Sequence, residues 1–300
     1  MTKPFAPKVF KLGYIAMEVQ DLQRTTAHYE KVIGMQNSTN SNNAESYLTL
    51  GSDQQNIILR QSDRKNLACL GFQLQPEVMI QELQKDLERI GVWSQIQSDA
   101  QPGIAESLKL EIVPGVILEL YKTSEFHISG FSNSGISPIR LGHVAIVSKD
   151  AKTLSQFFTE ILGFCITDTI GEGLAKFMTC NRDHHVINIV DVPEDKIHHL
   201  AFELADRSDH VGACDFLKTH GIATKWGPSR HTAGHNFAAY HHDPESTLIE
   251  LYTDMDQFIP QLDMCEARPW HEFHPMRPRD WGLDELSTWE TEFSFNLPEG

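Results

Sequence analysis

Leu12–Met35, LGYIAMEVQDLQRTTAHYEKVIGM, and Leu141–Phe164, LGHVAIVSKDAKTLSQFFTEILGF, are two versions of one segment. Leu12 aligns with Leu141, Gly13 with Gly142, Ala16 with Ala145, Asp21 with Asp150 and Gly34 with Gly163, all at one spacing. CLGFQL from Cys69 aligns with HLAFEL from His199 at a spacing one residue longer, which also pairs Leu87 with Leu217 and Gly91 with Gly221. ILELY ending at Tyr121 aligns with LIELY ending at Tyr252 at a spacing longer by one again. Steps of one are what single-residue loop insertions leave between matched elements. A repeat of this length sets the architecture before any local motif is read.

LGHVAIV alternates and is β-branched like a strand, whereas AKTLSQFFTEILGF places Leu154, Phe157, Phe158, Ile161 and Leu162 at helical spacing and closes on Gly163. HHLAFEL begins a second such unit, with a helical pattern over Val211, Phe216 and Leu217 closed by Gly221. FAAYHH and TLIELY then form a hairpin around Asp243 and Pro244. Each half therefore reads as two βαβββ modules. The fold class is α+β, four βαβββ modules paired into two tandem domains, each a cupped mixed sheet. The expected division is residues 1–130, residues 136–260, and a tail over 261–300, with the small, turn-rich SGFSNSGISP of residues 129–138 as linker. The tail stretch PWHEFHPMRPRDW does not repeat, and its aromatics predict packing across the body.

A chain of 300 residues suits two domains of ordinary size, and 40% hydrophobic with 22% charged residues excludes a disordered or low-complexity chain. Lys and Arg number 25 against 41 Asp and Glu, and the net charge of −16 repels phosphate backbones and anionic lipid, so neither nucleic acid nor membrane is an expected partner. There is no run of about 18–20 apolar residues and no signal-peptide pattern, so the expected location is the cytoplasm. Cys69, Cys165, Cys180, Cys214 and Cys265 are widely spaced without a CxxC pair, as reduced thiols would be. Most of the 15 histidines, in contrast, crowd between His143 and His242.

The repeat supplies its own control for those histidines. Tyr14 stands opposite His143, Cys69 opposite His199, and Glu119 opposite Glu250. Only the second copy joins two imidazoles to a carboxylate, the facial triad that leaves coordination positions open and suits non-haem Fe(II) with O2. Structural zinc normally takes four ligands, usually with cysteine, and fits less well. Alone, His143 reads as an ordinary core histidine, and Glu119 shows that the Glu250 pattern also occurs without histidines. His198 and His199 alternate in a strand, and the repeat register selects His199, leaving His198 on the surface or behind the ligand.

With these residues in place, the chain resembles the type I extradiol ring-cleavage dioxygenases of the vicinal oxygen chelate superfamily, of the catechol 2,3-dioxygenase kind, over about residues 8 to 258. Its most specific stretch is GPSRHTAGHNFAAYHHDPESTLIELYTDMD, Gly227–Asp256, which is similar to the family's G-x-x-R-H, then Tyr, Asp-Pro and Ile-Glu. The resemblance implies that His143, His199 and Glu250 hold Fe(II), with Mn(II) as the alternative ion, and that the first copy carries no metal. It further implies His185 as the acid-base residue, with His184 on the opposite face of the same strand, and His231 and Tyr240 against substrate oxygens. His235 falls either at the pocket mouth or on a solvent-exposed loop, while His241 and His242 read as surface residues. Ala233 and Gly234 stand where biphenyl-diol members carry Asn and Asp. The implied reaction is extradiol cleavage of a catechol by O2, giving 2-hydroxymuconic semialdehyde from catechol itself, in a homo-oligomer, dimer to tetramer. A glyoxalase-like isomerase on the same fold and a non-catalytic small-molecule binding protein are the competing classes.

Overall fold

The computed structural model describes residues 5–38, 41–126, 130–132 and 134–292, so parts of the expected linker and tail lie outside the described residues. The alternating apolar stretches become strands and the 3.6-period stretches become helices, in the same order twice. In the first unit the elements are β1 (Val9–Val19), α1 (Leu22–His28), β2 (Gln36–Asn37), β3 (Glu45–Thr49), β4 (Ile57–Gln61), β5 (Asn66–Leu74), α2 (Ile80–Arg89), β6 (Ser94–Gln101), β7 (Ile104–Val113) and β8 (Val116–Tyr121). In the second they are β9 (Arg140–Ser148), α3 (Ala151–Gln156), β10 (Cys165–Ile170), β11 (Ala175–Thr179), β12 (Ile187–Asp191), β13 (Lys196–Glu203), α4 (Arg207–Thr219), β14 (Thr224–Arg230), β15 (Phe237–His242) and β16 (Leu248–Thr253). Short strands β17 (Phe258–Ile259), β18 (Met264–Cys265) and β19 (Asp280–Trp281) follow.

Each module is a strand, a helical crossover and a three-stranded meander whose last strand lies parallel to the first: β4 on β1, β8 on β5, β12 on β9 and β16 on β13. Two modules join through their first strands, giving the orders β2-β3-β4-β1-β5-β8-β7-β6 and β14-β15-β16-β13-β9-β12-β11-β10-β19. The α+β class and the four-module plan are therefore those expected. By contacts, one unit covers residues 8–141 and the other runs from Gly142, but residues 243–245 cluster with the first and residues 5–7 with the second. A single cut along the chain does not describe the division.

The sequence predicts one continuous helix over AKTLSQFFTEILGF. Instead α3 stops at Gln156 and continues as a π-helical turn, Phe157–Ile161, and α1 does the same through Tyr29–Ile33. The wide turn lets Phe158 pack edge-on against Phe164, ring centroids 5.1 Å apart, while the Phe158 carbonyl accepts from the Phe164 N–H at 2.9 Å. Side chains of Asp21 and Asp206 cap α1 and α4 by accepting from the N–H groups of Arg24 and Asp209, each cap contributing about 1 kcal/mol. Helix α4 turns His210, Ala213 and Leu217 onto its sheet.

The tail is part of the second unit. Strand β19 adds to β10 in parallel, pairing Thr169 with Asp280 and Ile170 with Trp281. Met276 and Trp281 are buried with Ile170, Ala175, Val190, Ala233, Phe258 and Cys265, and each such burial contributes about 1.5–3 kcal/mol. Among the described residues no helix is long and apolar enough to cross a membrane.

Candidate metal centre

Strands β16, β13 and β9 are consecutive neighbours in the second sheet, and they carry Glu250, His199 and His143. The side chains meet in a triangle. His143 Nε2 and His199 Nε2 each lie 3.1 Å from Glu250 Oε2, and the two nitrogens lie 3.3 Å from each other. Cis ligands about 2.1 Å from an octahedral ion are about 3.0 Å apart, so these three atoms have the spacing of one octahedral face. All three side chains are buried, at 1%, 8% and 1% for His143, His199 and Glu250. Two imidazoles with one carboxylate fit a divalent ion such as Fe(II) or Mn(II), with the opposite face left for other ligands.

The electrostatics agree with that donor set. Burial would push the Glu250 carboxyl up, but His143 and His199 beside it hold it well below the usual carboxylate range. Burial lowers His143, with Glu250 opposing, so the imidazole stays neutral as a ligand must. The triad has close partners. Tyr240, directly across the β15–β16 pair from Glu250, donates to Glu250 Oε2 at 2.8 Å, and Asn236 Nδ2 donates to the other oxygen, Oε1. His231 Nε2 lies 3.0 Å from the Tyr240 hydroxyl, and its Nδ1 lies 3.4 Å from the Leu286 carbonyl. Trp226 stacks on the His231 ring at 4.6 Å and fixes its plane.

In front of the triad lies a cavity. His185, His198, His231, Tyr240 and Asn236 line its polar side; Ile170, Ala175, Phe177, Val190, Ala233 and, from the tail, Leu286 form an apolar wall. His185 packs against His143, centroids 4.3 Å apart, and edge-on to Phe177 at 5.0 Å. Burial, then His143 and His184, pushes His185 well below the ordinary imidazole value. Burial likewise takes His231 down to about 4 and His198 to about 3, and lifts Tyr240 well above its ordinary value.

Several histidines stand elsewhere than expected. His235 reaches neither a pocket mouth nor solvent: it is 3% exposed, has a φ of 47°, and is absent from the cavity lining. Its Nδ1 donates to Asp256 Oδ2 at 2.7 Å, while His271 Nε2 donates to Oδ1 at 2.9 Å. These three side chains are close enough to share an ion, yet each N–H has its own carboxylate oxygen, and the set is a closed hydrogen-bonded clasp between a loop and the tail. It holds Asp256 at about 2, because the two histidine hydrogen bonds outweigh burial. His198 takes the second of its two expected places, buried against the ligand, 2.7 Å from His199 through their Nδ1 atoms. His184 and His185 precede β12, which starts at Ile187, so strand alternation does not govern them; both are buried and they touch through Nδ1. His241 is fully buried and His242 half-buried rather than on the surface. Asn236, Asp168 and Leu286 were not marked by any pattern: Asn236 sits one residue outside its strand, and Leu286 lies in the non-repeating tail.

Residues 140–251 match the family described as Glyoxalase/Bleomycin resistance protein/Dioxygenase superfamily. The chain is 23% identical over 267 residues to a metapyrocatechase of Pseudomonas sp. (strain CF600), covering 83% of this chain and 87% of that protein. Its fold superposes on the 2,3-dioxygenase LapB from Pseudomonas sp. KL28 with a TM-score of 0.81 at 22% identity, covering 93% of this chain and 99% of the other. It superposes equally on the Mn(II)-bound glyoxalase from Novosphingobium aromaticivorans, TM-score 0.82 at 22% identity, covering 95% and 91%. Residues 140–251 thus carry the match to that superfamily, and the relatives that resemble most of the chain are named as extradiol dioxygenases.

Proposed function

We propose that this chain cleaves a catechol ring beside its two hydroxyls, inserting both atoms of O2, with 2-hydroxymuconic semialdehyde as the product from catechol itself. Catechol plus O2 accounts for every atom and electron of that product, so no further reductant is needed. The observation that carries the reading is the triangle of His143, His199 and Glu250 turned toward a cavity whose remaining polar groups are hydrogen-bonding side chains. A bound Fe(II), or Mn(II), supplies Lewis acidity to two vicinal oxygens and a route for electrons between ring and O2.

The chain's own residues do the rest. His185, kept neutral by burial, accepts a hydroxyl proton from the catechol and later returns it. His231 and Tyr240, linked to each other and to Glu250, hold the oxygens in place and stabilise charge that develops there. The wall of Ile170, Phe177, Val190 and Leu286 takes the ring and keeps water from it. We place this activity in the cytoplasm.

The test is to add catechol, in air, to reduced protein loaded with Fe(II) or Mn(II). Yellow product with one O2 consumed per catechol is expected, and His185→Ala should keep its metal while losing most of the rate. Isomerisation of a thiol adduct without oxygen uptake would give the site to the glyoxalase class instead, and catechol binding without turnover would give it to the binding proteins.

A further inference from the structure

Two buried polar residues have no part in that chemistry. Asp168, 1% exposed on β10, accepts from the Arg279 N–H at 3.0 Å through Oδ1, and through Oδ2 from Trp281 Nε1 at 2.8 Å and from His184 Nε2 at 3.1 Å. A carboxylate only accepts, and its other partners are obligate donors, so the His184 proton is on Nε2. With that single proton on Nε2, His184 presents the lone pair of its Nδ1. That lone pair faces His185 Nδ1 at 3.0 Å, so the His185 proton must be on Nδ1 and its Nε2 is bare. Gly234 keeps the space this pairing needs: a Cβ there would stand 2.9 Å from His184 Nδ1.

We propose that Asp168 and His184 are positioning residues that fix the tautomer of His185, making Nε2 its proton-accepting atom, and that the tail residues Arg279 and Trp281 anchor the relay. This rests on the reading of His185 as the acid-base residue. The tail thereby has a share in catalysis through a buried chain of hydrogen bonds, besides contributing Leu286 to the cavity wall. An unfixed imidazole would divide between two tautomers, only one of which can accept the substrate proton at Nε2.

The test begins without metal or substrate. In protein carrying 15N-histidine, long-range 15N–1H correlation spectra report which ring nitrogen holds the proton. His184 should show Nε2–H and His185 Nδ1–H, and Asp168→Asn or Trp281→Phe should mix the His185 forms. In the loaded enzyme, His184→Phe should lower kcat by about 10-fold to 100-fold, leaving KM for catechol and metal content nearly unchanged. His184→Gln, whose amide donates to Asp168 and accepts from His185, should recover most of that loss. If His184→Phe does not fold, Trp281→Phe gives the same kcat-against-KM reading more mildly. A wild-type spectrum with His185 protonated at Nε2, or full kcat in a folded His184→Phe, overturns the relay. The tautomers found as stated in a protein that consumes no O2 with any catechol would support the relay and sink the ring-cleavage reading alone.

Discussion

The corresponding centre in the first unit holds Tyr14, Cys69 and Glu119 where the second holds His143, His199 and Glu250. Both carboxylates are buried, Glu119 at 4% and Glu250 at 1%. A buried carboxylate is costly unless its oxygens are partnered, and the two units solve this differently. Tyr14 hydroxyl and Gln101 Nε2, the latter at 2.8 Å, both donate to Glu119 Oε2, which closes the site with the protein's own protons. Burial, with Glu119 adding to it, raises both the Tyr14 hydroxyl and the Cys69 thiol, so neither is a ready metal ligand. The larger ring needs room, and Gly71 gives it: a Cβ there would lie 2.3 Å from the Tyr14 ring, whereas the matching position on β13, also paired with its unit's carboxylate, is Ala201. The same strands thus carry a plug in one copy and a donor triangle in the other.

Replacing a single ligand should break the contrast most severely. His143→Ala, His199→Ala or Glu250→Ala should each abolish retention of the divalent ion and all turnover, measured by metal analysis after gel filtration. Glu119→Ala should leave metal content unchanged and instead lower stability by about 1–3 kcal/mol, since the Tyr14 hydroxyl and the Gln101 amide lose their shared buried acceptor. Denaturant midpoints would show it.

Asn236 sharpens the contrast at intermediate size. It holds the Glu250 oxygen that is not in the donor triangle, and its own Oδ1 is buried without a partner. Asn236→Ala should weaken binding of the divalent ion about 10-fold to 100-fold in a chelator competition, with the thermal midpoint of the metal-free protein little changed.

The smallest effect is that of pH. Burial lowers His28 in the first unit to about 4, and His231 and His198 in the second to about 4 and about 3, from 6.5. Between 6.5 and those values the unfolded chain binds more protons than the folded one, so stability rises with pH there. Metal-free protein should therefore lose thermal stability as pH falls below about 6.5 and lose no more from these groups once below about 3. His28→Gln should remove only the first unit's share, which differential scanning calorimetry can follow.

The fold was readable because the chain states it twice: offsets drifting by one residue left little choice but four modules. The metal ligands were readable for the same reason, since the first copy shows what each strand carries when no ion is to be held. What lay outside the repeat was obscure. Alternation misplaced His184 because the histidine pair precedes its strand, and His241 because a charged-looking hairpin end is buried in the folded unit. His235 looked like a loop residue, and only the tertiary approach of Asp256 and His271 buries it. Asp168 is one acidic residue among many until Trp281, more than one hundred residues later, is brought against it.

The π-helical turns that end α1 and α3 belong to both copies, within one residue of the same place, each with a carbonyl, Tyr29 or Phe158, accepting from the sixth residue on. Such widened turns often accompany active sites. Here one sits in the plugged unit as well, so it answers to packing within the module rather than to the metal site. A bend that both copies keep is a requirement of the module's framework, and by itself it marks no site of chemistry.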